Sequence, residues 1–287
     1  MAKKVKEVSV SDALRVRPGG PVRVADLDPD SAPAFPGNGK KDAPDAMIAM
    51  SAELSDLQER LYAAGRDNPD APRLLLLLQG LDTAGKGGVI RHAVGLVDPQ
   101  GIEIKAFKVP TEEERAHHYL WRIRNALPTA GMIGIFDRSH YEDVLVVRVD
   151  GHIDEAEVAK RFDEINAFEA ELAASGTTLI KCFLNVSRDE QQQRLLERLA
   201  DPEKYWKYNP GDVDTRLNWD AYMEAYGDVL THTNTDVAPW YAIPADKKWY
   251  RNWAVAQLLI EHLRALDLGW PAADFDVEAE IARVRAS

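Results

Sequence analysis

The sequence predicts an α/β protein in which helices cover both faces of a doubly wound parallel sheet. From Arg73 onward, short apolar runs of strand length alternate with longer segments of helical periodicity. The first of these runs, Leu74–Gln79, is apolar almost throughout, as expected for a strand that is buried on both faces. Such an alternation gives parallel strands joined by right-handed crossovers.

The individual elements follow from spacing and end signals. A helix over Pro44–Arg66 has apolar residues three and four positions apart, and Thr111 with Glu114 forms a capping box. Gly176 ends another helix. The predicted strands are Leu74–Gln79, Ile102–Val109, Met132–Phe136, Thr178–Leu184 and Trp240–Ile243. The other predicted helices are Lys86–Val97, Thr111–Ala126, Val158–Ser175, Trp219–Thr231 and Lys247–Leu266.

The chain divides into an N-terminal arm (1–45), a single large body (46–270) and a C-terminal tail (271–287). Prolines and glycines in Arg17–Lys41 prevent regular structure, so the arm either wraps over the body or is partly disordered. Residues 188–219 are charged and helical at first, then aromatic and basic, with no strand pattern. We interpret this insertion between two strands as a mobile helical lid.

Composition excludes several classes of protein. The net charge of −12 over 287 residues argues against nucleic-acid binding, and a polyanionic substrate would need a local cluster of basic residues. No apolar run approaches the roughly 20 residues that cross a bilayer, which predicts no membrane association. The N-terminal lysines precede no apolar signal segment, and the one cysteine, Cys182, cannot form an internal disulfide. We therefore expect a cytoplasmic protein.

The segment Gly80-Leu-Asp-Thr-Ala-Gly-Lys-Gly-Gly88 has the G-x-x-x-x-G-K spacing of a phosphate-binding loop, between a strand and a helix. Its backbone N–H groups and Lys86 are predicted to bind phosphate. The phosphate-binding candidates are Gly80, Thr83, Ala84, Gly85, Gly87 and Gly88. Gly87 replaces the usual Ser or Thr that binds Mg²⁺. Asp82 either binds Mg²⁺, or accepts a proton from or orients an attacking phosphate, or only caps the helix.

A second carboxylate follows the third predicted strand. Asp137 ends the apolar run Ile133–Phe136, which is the Walker B arrangement for holding Mg²⁺. Short apolar strands that end in Asp are common, so the pattern alone is not specific. The prediction of a metal-binding Asp137 also depends on the phosphate loop upstream. Arg138 is placed to neutralise charge on a transferred phosphoryl group, although a surface ion pair would explain it as well.

Basic residues concentrate after the second strand and in the lid. Arg115, His118 and Arg122 are predicted to share one helix face, and the lid contributes Arg194 and Arg198. Together these groups predict a cationic groove for a phosphate chain, although a solvated surface is the alternative. The candidates for polyphosphate binding are Lys108, Arg115, His118, Arg122, Lys204 and Lys207.

Over about residues 45–270 the sequence resembles the polyphosphate kinase 2 family. The resemblance rests on four linked motifs: Gly80–Gly88, Phe136–Leu145 (FDRSHYEDVL), Arg198–Lys207 (RLADPEKYWK), and Ala238–Trp240 with Asp246–Tyr250 (DKKWY). It implies a P-loop kinase fold similar to thymidylate kinase. It also implies Mg²⁺-dependent, reversible phosphoryl transfer between inorganic polyphosphate and AMP, ADP or ATP, with guanine nucleotides as further candidates, and a dimer or tetramer.

Roles carry over by motif position. The resemblance implies that Asp82 and Lys86 are the essential acidic residue and lysine of the loop, and that both take part in catalysis. It implies further that Asp137 and Arg138 are the Walker B pair and that Arg198 is the lid arginine. Asp82 and Asp137 would hold the metal. Glu142 matches a position linked to nucleotide handling in the class III subset, in which asparagine often stands at the position of Asp137.

Two other functions fit parts of the pattern. An ATP-dependent nucleoside or nucleotide kinase of the same fold would be expected to carry Ser or Thr after Lys86 rather than Gly87. A non-catalytic nucleotide-binding module would not need the set of Asp82, Lys86, Asp137 and Arg138. Both alternatives are therefore ranked below a polyphosphate-dependent kinase.

Overall fold

The computed structural model describes residues 8–287. The first seven residues of the predicted arm, with the N-terminal lysines, lie outside that range. Within it, the strands are β1 (Arg73–Gln79), β2 (Ile102–Ala106), β3 (Ile133–Asp137), β4 (Thr177–Asn185) and β5 (Trp240–Pro244). They form one sheet of five parallel strands in the order β2-β3-β1-β4-β5.

Twelve α-helices are present in the described part of the chain. They are α1 (Val10–Leu14), α2 (Ala43–Gly65), α3 (Lys86–His92), α4 (Glu112–Ala116), α5 (Trp121–Arg124), α6 (Glu142–Val149), α7 (Glu155–Ala174), α8 (Arg188–Leu199), α9 (Gly211–Leu217), α10 (Trp219–His232), α11 (Lys248–Ala265) and α12 (Val277–Ala286). Between residues 8 and 287, no helix is long and apolar enough to span a bilayer.

The predicted fold class is confirmed. All five leucines from Leu74 to Leu78 in β1 are completely buried. Since successive side chains of a strand point to opposite faces, helices must cover both sides of the sheet. The central strand β1 pairs with β3 on one side and β4 on the other. The register sets Leu78 beside Asp137, so the segments that follow β1 and β3 emerge together at one edge.

The edge strand β2 ends earlier than predicted. Its last residue, Ala106, pairs with Asp137, the last residue of β3. Because β3 also ends there, only one further hydrogen bond joins the two segments, from the Phe107 N–H to the Asp137 carbonyl at 3.0 Å. The predicted extension to Val109 is therefore wrong. Val109 is 83% exposed.

The predicted helix over Thr111–Ala126 is also wrong, because two short helices replace it. The capping box of Thr111 and Glu114 is confirmed at the start of α4. The chain then becomes extended at His117, whose ring stacks on Trp121 at a centroid distance of 4.2 Å. Leu120, between the two helices, is buried in the core. This packing overrides the helical propensity of the segment.

Outside residues 188–219, three helices were not predicted. The polar motif after Arg138 continues into α6, which buries Asp143, Val144 and Leu145. The tail contains α12, and the arm contains α1, a single turn capped by the Ser9 hydroxyl. The arm also has 3₁₀ turns at Val24–Asp26 and Lys40–Asp42. Helix α3 is shorter than predicted, and a 3₁₀ turn at Val94–Leu96 follows it.

The described part of the arm lies along the β5 edge of the sheet. The Val16 N–H donates to the Trp240 carbonyl at 2.8 Å, and the Tyr250 hydroxyl donates to the Pro33 carbonyl at 2.9 Å. Val10 and Leu14 are buried in the core. The arm therefore covers an edge that would otherwise expose unpaired backbone groups.

A buried ion pair between Lys181 and Glu169 contacts the segment that follows β3. The Lys181 ammonium donates to Glu169 at 2.6 Å and to the Thr233 carbonyl at 2.7 Å. The Tyr141 hydroxyl donates to the other Glu169 oxygen at 2.7 Å. Burial alone would raise the pKa of Glu169, but the Lys181 ammonium holds that pKa below its usual value. The cluster thus fixes Tyr141, just after Asp137 and Arg138.

We predict that Lys181→Met destabilises the fold by about 3–5 kcal/mol, because it leaves the Glu169 carboxylate buried without its cation. Urea unfolding of the variant and the wild type measures the difference. The double variant Lys181→Met/Glu169→Gln should recover most of the loss. A single variant within about 1 kcal/mol of the wild type would contradict this account.

Candidate active site

The phosphate loop connects β1 to α3 at the carboxyl edge of the sheet. Three of its residues have positive φ angles: Gly80 at 146°, Thr83 at 67° and Gly85 at 112°. A Cβ atom on Gly80 would lie 2.7 Å from the Leu184 carbonyl oxygen, so the close approach of β4 also requires glycine there. For Thr83 the left-handed conformation is uncommon, and its buried hydroxyl has no hydrogen-bond partner within residues 8–287.

Lys86 folds back over the loop that it follows. Its ammonium donates to the Gly80 carbonyl at 2.7 Å, and the side chain is buried. The lysine therefore links the two ends of the loop and holds a positive charge at its mouth. This is the placement expected of the lysine in a phosphate loop.

Three side chains hold the loop from outside, a role that the sequence analysis assigned to none of them. Gln191 donates to the Asp82 carbonyl at 3.2 Å, Arg194 donates to Thr83 at 2.9 Å, and Arg251 donates to Ala84 at 2.9 Å. Each carbonyl that bonds outward fixes the orientation of its peptide plane. Arg194, predicted to line a cationic groove, is instead buried against the loop, so that part of the prediction is wrong.

An ion pair joins the phosphate loop to the residue after β3. Arg138 Nη2 lies 2.8 Å from Asp82 Oδ1. The Arg138 N–H also donates to the Leu78 carbonyl at 3.1 Å, with Arg138 at a φ of 64°. Burial disfavours the charged guanidinium, but the Glu142 and Asp82 carboxylates raise the pKa of Arg138 above its ordinary value. The arginine is therefore a fixed cation between two carboxylates.

Asp137 ends β3, and its side chain is half-buried. Within residues 8–287, no side chain forms a hydrogen bond or ion pair with its carboxylate, and no group of three or more His, Cys, Asp or Glu residues could hold a metal ion. Mg²⁺ in phosphate-transfer sites is usually bound by one or two carboxylates plus substrate phosphates. The unengaged oxygens of Asp137 and the second oxygen of Asp82 fit that pattern.

A cleft of about 330 Å³ opens beside the loop. Gly80, Asp82, Arg138 and Glu142 line its floor. Glu142 accepts a hydrogen bond from Gln79 Nε2 at 2.9 Å, so β1 fixes its position. The opposite wall comes from the lid and from α10, and it includes Asn209, Asp212, Thr215, Asn218, Tyr222 and Tyr226.

Within the lid, Arg198 bonds to other lid residues. Its Nη1 donates to the Lys207 carbonyl at 2.8 Å and to Asp212 Oδ2 at 3.3 Å. The Asp212 carboxylate, which the sequence did not single out, is buried and lines the same cleft as Asp82. Burial, reinforced by the Asp82 carboxylate, raises the pKa of Asp212 to about 6, against the opposing effect of Arg198.

The structure separates the residues predicted to bind a phosphate chain. Arg115, His118 and Arg122 do not share a helix face, because the chain breaks between α4 and α5. Arg122 is buried, donates to Asp143 at 3.2 Å and lies against the Phe107 ring. A buried, neutralised guanidinium cannot line a surface groove, which corrects the prediction for Arg122.

The other five candidates are exposed: Lys108, Arg115, His118, Lys204 and Lys207. Two of them have a carboxylate close by. His118 lies 3.4 Å from Glu164, and Lys204 lies 2.8 Å from Asp201. These five residues remain candidates for polyphosphate binding.

The raised pKa of Asp212 predicts a pH-dependent contribution to stability. Between its ordinary value of 3.8 and about 6, the folded state keeps a proton that the unfolded state releases. The contribution of this group to the free energy of unfolding therefore falls as the pH rises through that window. Asp212→Asn should remove it, which urea unfolding at about pH 4.5 and pH 7.5 measures.

Asp214→Asn, an exposed carboxylate two residues further on, is the matched control and should keep the wild-type difference between the two pH values. An Asp212→Asn variant with the same difference as the wild type would show that Asp212 does not titrate as described.

Comparison with known proteins identifies the family. The polyphosphate kinase 2 (PPK2) family model matches residues 38–268. The AMP/ADP-polyphosphate phosphotransferase of Meiothermus ruber is 46% identical over 257 residues, which cover 90% of this chain and 94% of that protein. The ADP-polyphosphate phosphotransferase of Rhodopseudomonas palustris is 40% identical over 244 residues, covering 81% and 83%.

The fold agrees with these sequence relations. The crystal structure of polyphosphate kinase 2 from Arthrobacter aurescens TC1 superimposes with a TM-score of 0.93 at 50% sequence identity and covers 98% of both chains. Because the family model spans most of the chain and the relatives align over most of their lengths, this chain belongs to the polyphosphate kinase 2 family.

Proposed function

We propose that the protein is a kinase that transfers phosphoryl groups reversibly between inorganic polyphosphate and AMP or ADP. The observation that carries the proposal is the Asp82–Arg138 ion pair at the floor of the cleft, between the phosphate loop and the end of β3. The names of the Meiothermus and Rhodopseudomonas relatives support polyphosphate with AMP or ADP as substrates.

The chain's own groups bind and orient the reacting phosphates. The N–H groups of the loop from Gly80 to Gly88 and the Lys86 ammonium bind phosphate oxygens. The Thr83 hydroxyl, which has no hydrogen-bond partner within residues 8–287, is a further donor for such an oxygen. Arg138 neutralises charge on the transferred group, while Asp82 holds Arg138 in position.

The reaction needs no nucleophile from the protein. A terminal phosphate oxygen of AMP or ADP attacks the terminal phosphorus of polyphosphate, and the bond from that phosphorus to its bridging oxygen breaks. The shortened chain leaves with the bridging oxygen, and the reverse reaction lengthens it. Catalysis of this kind depends on positioning and electrostatics. Mg²⁺, held by Asp82 and Asp137, would offset charge on the phosphate oxygens.

The lid supplies the remaining cations. Arg198 has Asp212 as its carboxylate partner in this structure, and we infer that a phosphate chain competes for its guanidinium. Lid closure would exclude water and so limit hydrolysis. The exposed Lys108, Arg115, His118, Lys204 and Lys207 are proposed to guide the polymer. Glu142 on the cleft floor is proposed to contact the nucleotide. The predicted cytoplasmic location and dimer or tetramer stay predictions.

Incubation of the protein with Mg²⁺ and ADP, with and without polyphosphate, tests the function. We expect ATP only when the polymer is present, and ADP from AMP under the same conditions. Phosphorylation that requires ATP and ignores polyphosphate would instead indicate an ATP-dependent nucleotide kinase. Nucleotide binding with no transfer from any donor would indicate a non-catalytic module.

We predict that Asp82→Asn and Arg198→Ala each lower kcat by about 10²–10³-fold, the loss typical of one preorganised electrostatic contact. Initial rates of ATP formation from polyphosphate and ADP measure the effect. Glu197→Ala is the matched lid control, since Glu197 is exposed beside Arg198 and pairs with Lys248 at 3.4 Å. Near-wild-type rates for either site variant would contradict the assigned role.

A further inference from the structure

We propose that Arg251 of α11 is a positioning residue of the phosphate loop, whose buried charge behind the loop strengthens the binding of phosphate anions in front of it. The inference rests on the proposed function only in so far as phosphate binds this loop. Nothing in the sequence pattern marks the residue, because it lies 167 positions after its partner in the loop.

The guanidinium of Arg251 fits against the end of the loop. Its Nη1 donates to the Ala84 carbonyl at 2.9 Å. A Cβ atom built on Gly85 would lie 1.7 Å from Nη1, and one built on Gly88 would lie 2.5 Å from Nη2. The two glycines therefore leave the space that the arginine fills.

Gly88 shows that the space for Arg251 requires glycine even where the backbone conformation does not. Gly85 has a φ of 112°, which by itself favours glycine, whereas Gly88 is absent from the positive-φ glycines of the described chain. Any side chain at position 88 would meet Arg251 within the first turn of α3. The arginine thus gives a physical reason for the glycine that follows Gly87.

A neighbouring side chain fixes the orientation of the guanidinium. Nε and Nη2 of Arg251 lie 3.2 and 2.9 Å from the Asn252 side-chain oxygen. One edge of the planar group thus bonds to Asn252 and the other to the loop. A lysine would keep the charge at this position but could not form this two-sided arrangement.

Among residues 8–287, the charge of Arg251 has no anionic partner. The side chain is 3% exposed, and no carboxylate within residues 8–287 lies within 4 Å of it. Arg194, the other arginine behind the loop, has its own partner in Glu190 at 2.8 Å. Burial, together with the charge of Arg194, lowers the pKa of Arg251 to about 9.

An unpaired buried cation is costly unless an anion compensates it. Phosphate bound to the N–H groups of the loop would supply that anion across a single turn of backbone. Arg251 acts on the bound phosphate across this turn of backbone and through the Ala84 carbonyl. Its effect should therefore appear in the affinity of the loop for anions. Its removal should leave the unliganded fold as stable as before or more stable, because the desolvated charge disappears.

The test uses Arg251→Met, Arg251→Lys and the control Arg264→Met in the full-length protein. Arg264 belongs to the same helix but pairs with Glu53 at 2.5 Å. The probe is inorganic tripolyphosphate, titrated by calorimetry, and thermal unfolding without the probe reports the stability of each variant. We expect Arg251→Met to bind tripolyphosphate about tenfold or more weakly than wild type with no loss of melting temperature.

Arg251→Lys should bind with intermediate affinity, and Arg264→Met should match the wild type. Equal affinity for Arg251→Met and wild type would overturn the inference. If Arg251→Met does not fold, Arg251→Lys decides the question, and its binding at wild-type affinity would overturn it. A wild-type protein that binds no tripolyphosphate would overturn the proposed function itself, which is a distinguishable result.

Discussion

The ion pair between Asp82 and Arg138 is the interaction on which the site depends. It joins the loop after β1 to the turn after β3, two segments that the parallel sheet brings to one edge. Asp82 places a carboxylate among groups that otherwise attract phosphate, and Arg138 offsets that charge. The same arginine adopts a left-handed backbone conformation, which is tolerated where neighbouring contacts determine it.

Those neighbouring contacts come from the interior of the protein. Arg138 bonds through its N–H to Leu78, and Tyr141, three residues further on, is fixed by the Glu169–Lys181 pair. On the other side, Arg194 and Arg251 hold the carbonyls of the phosphate loop. A protein with a net charge of −12 thus gathers positive charge at one edge of its sheet. The buried Arg194 and Arg251 contribute to that field together with the exposed lysines.

Features that depend on local sequence were predictable. The strands, the phosphate loop and the capping box at Thr111 follow from periodicity, spacing and end signals, and the structure contains them. The break at His117 was not predictable, since it accompanies the tertiary packing of Leu120 into the core. The single helix predicted there placed Arg122 on a surface that it does not reach.

Long-range partners within the site were also beyond sequence reasoning. Arg194 and Arg251 lie 111 and 167 positions from their partners in the loop, so no local pattern links them. Asp212 shares no motif spacing with Asp82, and only the folded lid places both on the same cleft. The roles of Asp137 and Glu142 still rest on motif position and on their place at the cleft or strand end.

A double-mutant cycle on Asp82→Asn and Arg138→Gln tests most directly whether the ion pair acts as one unit. The measurement is kcat/KM for ATP formation from polyphosphate and ADP in the wild type, both single variants and the double variant. The account predicts a double-variant loss at least about tenfold smaller than the product of the single losses. Losses that multiply to within about twofold would show that the two residues act independently, contrary to the account.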